Sequence, residues 1–330
     1  MVYGGFSNYG FSLWACCNCK NFTFRKDTKK TGYFGQRLPI RVTSTEEMKE
    51  VISHQEGFFD GVRGAKTYYQ CWLPEGEPKS VLLVVHGLAE HSGRYMHIVN
   101  YFVPLGYAIY ALDHLGHGKS EGIRVFVNQF EDLTDPLKTY FNMVRVWQPG
   151  KSIILVGHSL GGLIGSRHLL DHQANYSGAI LSGPLVRPSN CPSPFLLSLL
   201  KIVAVVAPKI GVRQLKSDVM STDREEVQGY VDDPLVHPGK VTAGMSAAMF
   251  AAMEYVARQA RQITLPLIIV QGSADATVDP AGAQQLYHSV GSADKTLKMY
   301  EGYYHEVFNE PEPRRTQVFQ DIQIWLESHL

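Results

Sequence analysis

Three observations predict an α/β fold with a mostly parallel central sheet, helices on both faces and an inserted helical lid. From about residue 66 onward, short apolar runs alternate with helical patterns, which is the signature of parallel βαβ construction. Directly after one of those runs, Gly157-His158-Ser159-Leu160-Gly161 places a serine where a strand must turn sharply into a helix. The alternation breaks between about residues 184 and 263 and then resumes, as an insertion between two sheet strands requires.

Taken in order, the candidate strands are 67–72, 81–85, 108–112, 152–156, 179–182, 266–270 and 296–300. The run Ile153-Ile154-Leu155-Val156 reads as a buried strand, and Gly162 to Leu170 as the helix that follows it. The insertion opens on Pro184, Pro188, Pro192 and Pro194, then continues as Phe195 to Val206, apolar apart from Ser198 and Lys201. That stretch is too short to span a bilayer; it suits a helix buried in a lid or one that dips into a membrane surface. Thr242 to Ala260 reads as a second helix through Met245, Met249, Ala252 and Val256. The last helix has Val318, Ile322 and Trp325 on one face, widened by Phe319 and Leu326, with Pro311 and Pro313 marking its approach. The expected divisions are an irregular basic extension over 1–47, a core over 48–183, a lid over 184–263 and the rest of the core over 264–330.

Composition excludes several classes. The chain has 330 residues, 45% apolar and 19% charged, with a mean hydropathy of −0.12, the balance of a globular protein. Its formal charge is zero, so it lacks the basic footprint of a nucleic-acid binder and nucleic acid is not an expected partner. Residues 1–47 carry seven Lys/Arg against three Asp/Glu, which an anionic membrane surface could attract. Cys16, Cys17 and Cys19 are packed too closely to bridge one another, Cys71 and Cys191 stand alone, and a reducing, cytoplasmic setting fits. Neither a secretory signal nor a run of 18 apolar residues is present.

A serine hydroxyl needs a histidine base and an acid that fixes the histidine tautomer. The strand at 266–270 runs into Gln271-Gly272-Ser273-Ala274-Asp275, and that at 296–300 into Glu301-Gly302-Tyr303-Tyr304-His305. Among thirteen histidines, His305 alone follows the last strand. His158, His168 and His288 read as elbow packing and surface helix positions. Asp279 competes with Asp275, but it precedes Pro280 and a helical stretch, the pattern of a helix cap. The order Ser159, Asp275, His305 is that of an α/β-hydrolase. For the oxyanion, the backbone N–H of Leu160 supplies one donor; Gly87 would turn the loop so that the Leu88 N–H supplies the other. His86, His91, His114 and His117 raise a metal site, but no carboxylate cluster completes it, so neither metal nor cofactor is expected.

These residues resemble the monoacylglycerol lipase and lysophospholipase branch of the serine α/β-hydrolases. The resemblance is carried by His86-Gly87-Leu88-Ala89-Glu90-His91-Ser92-Gly93-Arg94-Tyr95, Asp113 to Gly122, the serine elbow, Gly272 to Asp275 and Met299 to His305. It covers residues 60–330. It implies a mobile lid that admits one acyl chain, a small lipid ester as substrate, Glu90 and Arg94 orienting its polar end, and peripheral membrane contact through the lid. Glu90 and Arg94 can equally form a hydrogen-bonded scaffold behind the oxyanion turn. Some mammalian members carry another histidine three residues beyond the catalytic one, where this chain has Phe308. The expected reaction is hydrolysis of monoacylglycerol to fatty acid and glycerol. A lysophospholipase, a short-chain carboxylesterase, an acyltransferase and a ligand-binding protein without activity are the alternatives.

Overall fold

The computed structural model describes residues 52–330; the basic stretch 1–47, with Cys16, Cys17 and Cys19, lies outside them. β1 (Ser53–Asp60) and β2 (Lys66–Leu73) form an antiparallel edge, and β2 pairs antiparallel with β4 (Tyr107–Leu112). β3 (Ser80–Val85), β5 (Ile153–His158) and β6 (Gly178–Ser182) lie further in and run parallel to β4. Every residue of β3 to β6 is buried, so these strands read as continuous apolar runs rather than alternating ones.

Both faces of the sheet are covered. Val81, Leu83 and Val85 of β3 face a core built with α2 (Glu131–Trp147) and α3 (Leu160–His172), through Leu133, Leu137, Leu163 and Ile164. Leu82 and Val84 face the other way, into a core with α1 (Met96–Phe102). Each such fully buried side chain contributes about 1.5–3 kcal/mol.

Between β6 and the next sheet strand the described chain forms α4 (Pro194–Val206), β7 (Gly211–Gln214), α5 (Arg224–Asp232), β8 (Lys240–Thr242) and α6 (Ala243–Gln259). None of these joins the central sheet; β7 and β8 pair only with each other. Ser193 and Thr242 cap α4 and α6 by accepting from Leu196 N and Met245 N. α6 is anchored by buried Met245, Met249 and Val256. In contrast, α4 packs on α6 yet has no buried residue, and Phe195, Ile202, Val205 and Val206 are exposed.

β9 (Leu267–Gly272), α7 (Pro280–Ser289), β10 (Lys295–Tyr300) and α8 (Arg314–Glu327) complete the order β1-β2-β4-β3-β5-β6-β9-β10. Val318, Phe319, Ile322, Trp325 and Leu326 of α8 are all buried, as their spacing predicts. The chain turns from β3 outward to β4 and then back to β5 on the other side. That switch leaves a crevice at the carboxyl ends of β3 and β5, where Val85 is level with Gly157 and His158 with Ser182. β1 and the β7–β8 pair escape the sequence pattern. β1 is a half-exposed edge whose only buried residue is Phe59, and a strand open on both faces shows no apolar run.

Candidate active site

Ser159 is the single residue between β5 and α3, and it holds φ 52° and ψ −116°, a left-handed conformation that costs a non-glycine residue energy. The surroundings keep it there: its N–H donates to Ser182 O at 2.9 Å, and its carbonyl accepts from Gly162, Leu163 and Leu185. Gly161 is required for close approach, since a Cβ on it would lie 1.9 Å from Val85 O.

The loops after β9 and β10 bring the other two residues to the serine. His305 Nε2 lies 2.9 Å from Ser159 Oγ, and His305 Nδ1 lies 2.7 Å from Asp275 Oδ2. Asp275 is itself fixed: Oδ1 accepts from Thr277 N and Val278 N, and Oδ2 from Gln271 Nε2 at 2.9 Å. Burial, the largest single influence, works against charge on both members of the pair. Their mutual attraction and hydrogen bond outweigh it, together with Val278 N and Gln271 at Asp275 and the Glu306 and Glu90 charges at His305. The Asp275 pKa falls below its ordinary value and that of His305 rises. Asp279 instead caps α7, accepting from Ala281 N and pairing with Arg187. An imidazole so placed, with its Nδ1–H held by a carboxylate, is able to take a proton from the serine hydroxyl.

Leu88 lines the same cavity as Ser159 and His305, and Leu160 is the first residue of α3. Among the described residues, neither amide donates to a backbone acceptor outside its own helix or strand, nor to a side chain. The loop departs from expectation in one respect. The left-handed residue is Ala89, with φ 64°, not Gly87. Gly87 is needed for space: a Cβ there would lie 2.6 Å from Glu90 Oε1 and 3.3 Å from Ser159 Cβ.

The two histidine-rich motifs form the scaffold of this loop. His86 Nδ1 is bonded to Gly87 O at 2.7 Å and its Nε2 accepts from His114 N at 2.9 Å, so both ring nitrogens are occupied. Asp113 accepts from Ser92 N, Ser92 Oγ and Lys119 N, tying the 113–120 turn to the 86–95 loop. Burial holds His86 far below its ordinary pKa and brings His114 down to about 3, so both rings are neutral. His168, expected on a surface position, is buried in α3 with its Nε2 3.0 Å from the Tyr176 hydroxyl. Helical spacing alone does not show that α3 is covered on that side.

Glu90 and Arg94 are engaged within the protein. Glu90 Oε1 accepts from Gly87 N at 2.6 Å and from the Tyr95 hydroxyl, while Oε2 accepts from Arg94. Arg94 also grips both oxygens of Glu306, at 2.9 and 2.8 Å, and lies 4.7 Å from the Tyr230 ring. Burial disfavours both carboxylates. For Glu306 the Arg94 charge and hydrogen bonds, with His158 and Asn309, together outweigh burial and the pKa falls; for Glu90 burial prevails and it rises. Arg94 thus joins the Leu88 loop to the residue next to His305. Glu306 was not visible beforehand because its partner lies 212 positions away.

The model of the serine aminopeptidase S33 family matches residues 76–312, a span that holds all of these residues. The chain belongs to that family. It is 38% identical over 278 residues to a monoacylglycerol lipase of Mycolicibacterium smegmatis, covering 84% of this chain and 99% of that protein. It is 32% identical to the human monoglyceride lipase, over 80% of this chain and 87% of that one. The crystal structure of a Paleococcus ferrophilus monoacylglycerol lipase superposes with a TM-score of 0.71 at 29% identity, covering 81% of this chain and 99% of that one.

In this S33 hydrolase, Phe308 is buried against Phe319 and near the ring of His158. His158 packs 4.8 Å from His305, and burial holds its pKa down to about 3, so it adds no charge beside the base. A base must be neutral to accept a proton, and His305 is raised above 6.5. We therefore expect kcat/KM to rise with pH through a midpoint above 6.5 and to level off in the alkaline range. The pH profile on a soluble nitrophenyl ester checks this; a midpoint below 6.5 would contradict it.

Proposed function

We propose that the protein is a carboxylic ester hydrolase that cleaves monoacylglycerol to a fatty acid and glycerol through an acyl-enzyme on Ser159. The observation that carries the reading is the 2.9 and 2.7 Å relay from Ser159 through His305 to Asp275, facing a mostly apolar cavity. Similarity to proteins named monoacylglycerol lipase supports the substrate.

In this mechanism Ser159 Oγ attacks the ester carbonyl carbon as its proton passes to His305 Nε2. The Leu88 and Leu160 amides hold the oxyanion, and Asp275 stabilises the imidazolium. The tetrahedral adduct expels the alcohol oxygen, which takes the proton from His305. Water then attacks the acyl-serine, His305 takes its proton, and the fatty acid leaves as Ser159 regains a hydrogen. We assign Glu90 and Arg94 to holding the Leu88 loop rather than to contacting glycerol.

We read residues 184–263 as a lid over the cavity, with Leu215, Met220, Val241 and Met249 forming much of its apolar wall. Among the described residues no helix is long and apolar enough to cross a membrane. The exposed apolar side of α4 supports contact with a lipid surface, the helix lying in the interface. Replacing Phe195 and Ile202 with Asp is expected to weaken vesicle binding about tenfold or more. Vesicle flotation reads the binding, and unchanged partition would contradict the contact.

The experiment that tests the substrate is a panel of mono-, di- and triacylglycerols, lysophospholipids and nitrophenyl esters. Monoacylglycerol should give the highest kcat/KM among the lipids. A preference for triacylglycerol would overturn the reading.

A further inference from the structure

The cavity of Ser159 and His305 holds a cation that the proposed mechanism does not use. Arg213 lines it from β7, beside Leu215 and Met220. The carboxylates that share the cavity are already committed, Glu90 and Glu306 to Arg94, and Asp275 behind them to His305. Burial lowers the Arg213 pKa, and among the described residues no carboxylate forms an ion pair with it. A half-buried guanidinium without a counter-charge is costly, and among the described residues nothing in the wall of the cavity offsets it.

The strand geometry turns this side chain inward. Arg213 is directly opposite Val241 of β8, and residues opposite one another in an antiparallel pair share a face. Val241 is 1% exposed and lines the same cavity. The register shifts between Gly211 and Arg213, at exposed Val212, and Arg213 stays paired with Val241. Bulges beside active sites commonly re-aim a side chain in this way.

We propose that Arg213 is an anion subsite of the substrate cavity, which pairs with a phosphate or carboxylate carried by a single-chain lipid. The inference rests on the single-chain ester reading above and adds charge recognition to it. A planar guanidinium matches either oxyanion with two parallel N–H donors. Two sources offer that chemistry: the phosphate of a lysophosphatidate substrate and the carboxylate of the fatty acid product.

The test measures inhibition of nitrophenyl butyrate hydrolysis by octyl phosphate, octanoate and octanol, in wild type, Arg213→Met, Arg213→Gln and Arg213→Lys. In the wild type the anions should inhibit at concentrations about tenfold or more below octanol, a tenfold difference being about 1.4 kcal/mol. Met and Gln should erase that ratio, and Lys should keep part of it. The ratio is internal to each variant, so a general loss of activity does not move it. Equal inhibition by all three compounds in the wild type, or a ratio that survives in Arg213→Met, overturns the subsite. A fall in kcat/KM for lysophosphatidate relative to monoacylglycerol in Arg213→Met identifies the substrate phosphate. An effect confined to octanoate identifies the product. If no long-chain ester is turned over, the monoacylglycerol reading fails while the inhibitor ratio still decides Arg213.

Discussion

Replacing Ser159 with alanine is expected to lower kcat/KM on monoacylglycerol by at least about 10⁴-fold, the scale of removing a triad nucleophile. The expectation follows from position. Ser159 Oγ is the oxygen that His305 Nε2 faces, at 2.9 Å, and the flanking residues are held by contacts that do not involve the hydroxyl. Alanine adopts the same backbone as readily as serine, so the elbow and its glycine contacts persist. The melting temperature should therefore stay within a few degrees of wild type. Activity within tenfold of wild type, in a folded variant, would move the nucleophile elsewhere.

Asp275→Asn should cost on the order of 10⁴-fold in kcat, because an amide permits the wrong imidazole tautomer and removes the charge that stabilises imidazolium. It should also lower the midpoint of the pH profile, since burial still lowers the His305 pKa and the largest raising influence, that of Asp275, would be gone, leaving only the weaker pull of Glu306 and Glu90. Asp279→Ala is the matched control. That carboxylate caps α7 and pairs with Arg187 away from His305. Its loss should cost about 1 kcal/mol of stability and leave the pH midpoint in place. If Asp279→Ala proved the inactive variant and Asp275→Asn the active one, the acid would be misassigned.

Much of this site was legible in the sequence because its parts are local. A buried strand, one serine and a glycine-flanked helix start occupy contiguous positions, and the terminal residues of β9 and β10 each lead straight into Asp275 and His305. Asp279 was separable from Asp275 because Pro280 marks a helix start. What sequence does not carry is pairing at a distance. Arg94 meets Glu306 across 212 residues, and the carbonyl of left-handed Ala89 accepts from His237 N, far along the chain. Gly87 lies where sequence suggests a turning residue, whereas its constraint is space, against Glu90 Oε1 first and Ser159 Cβ second. Exposure was equally hidden: Phe195 to Val206 is apolar enough for a core helix, and only the fold shows that it faces outward.

The most direct measurement is to mix the enzyme with monoacylglycerol, quench within the first turnovers and map the acylated peptide by mass spectrometry. The account predicts an acyl group on Ser159, absent in Ser159→Ala and slow to form in Asp275→Asn. Turnover of monoacylglycerol with acylation of another residue, or with no acyl-enzyme while Ser159→Ala remains active, would contradict it.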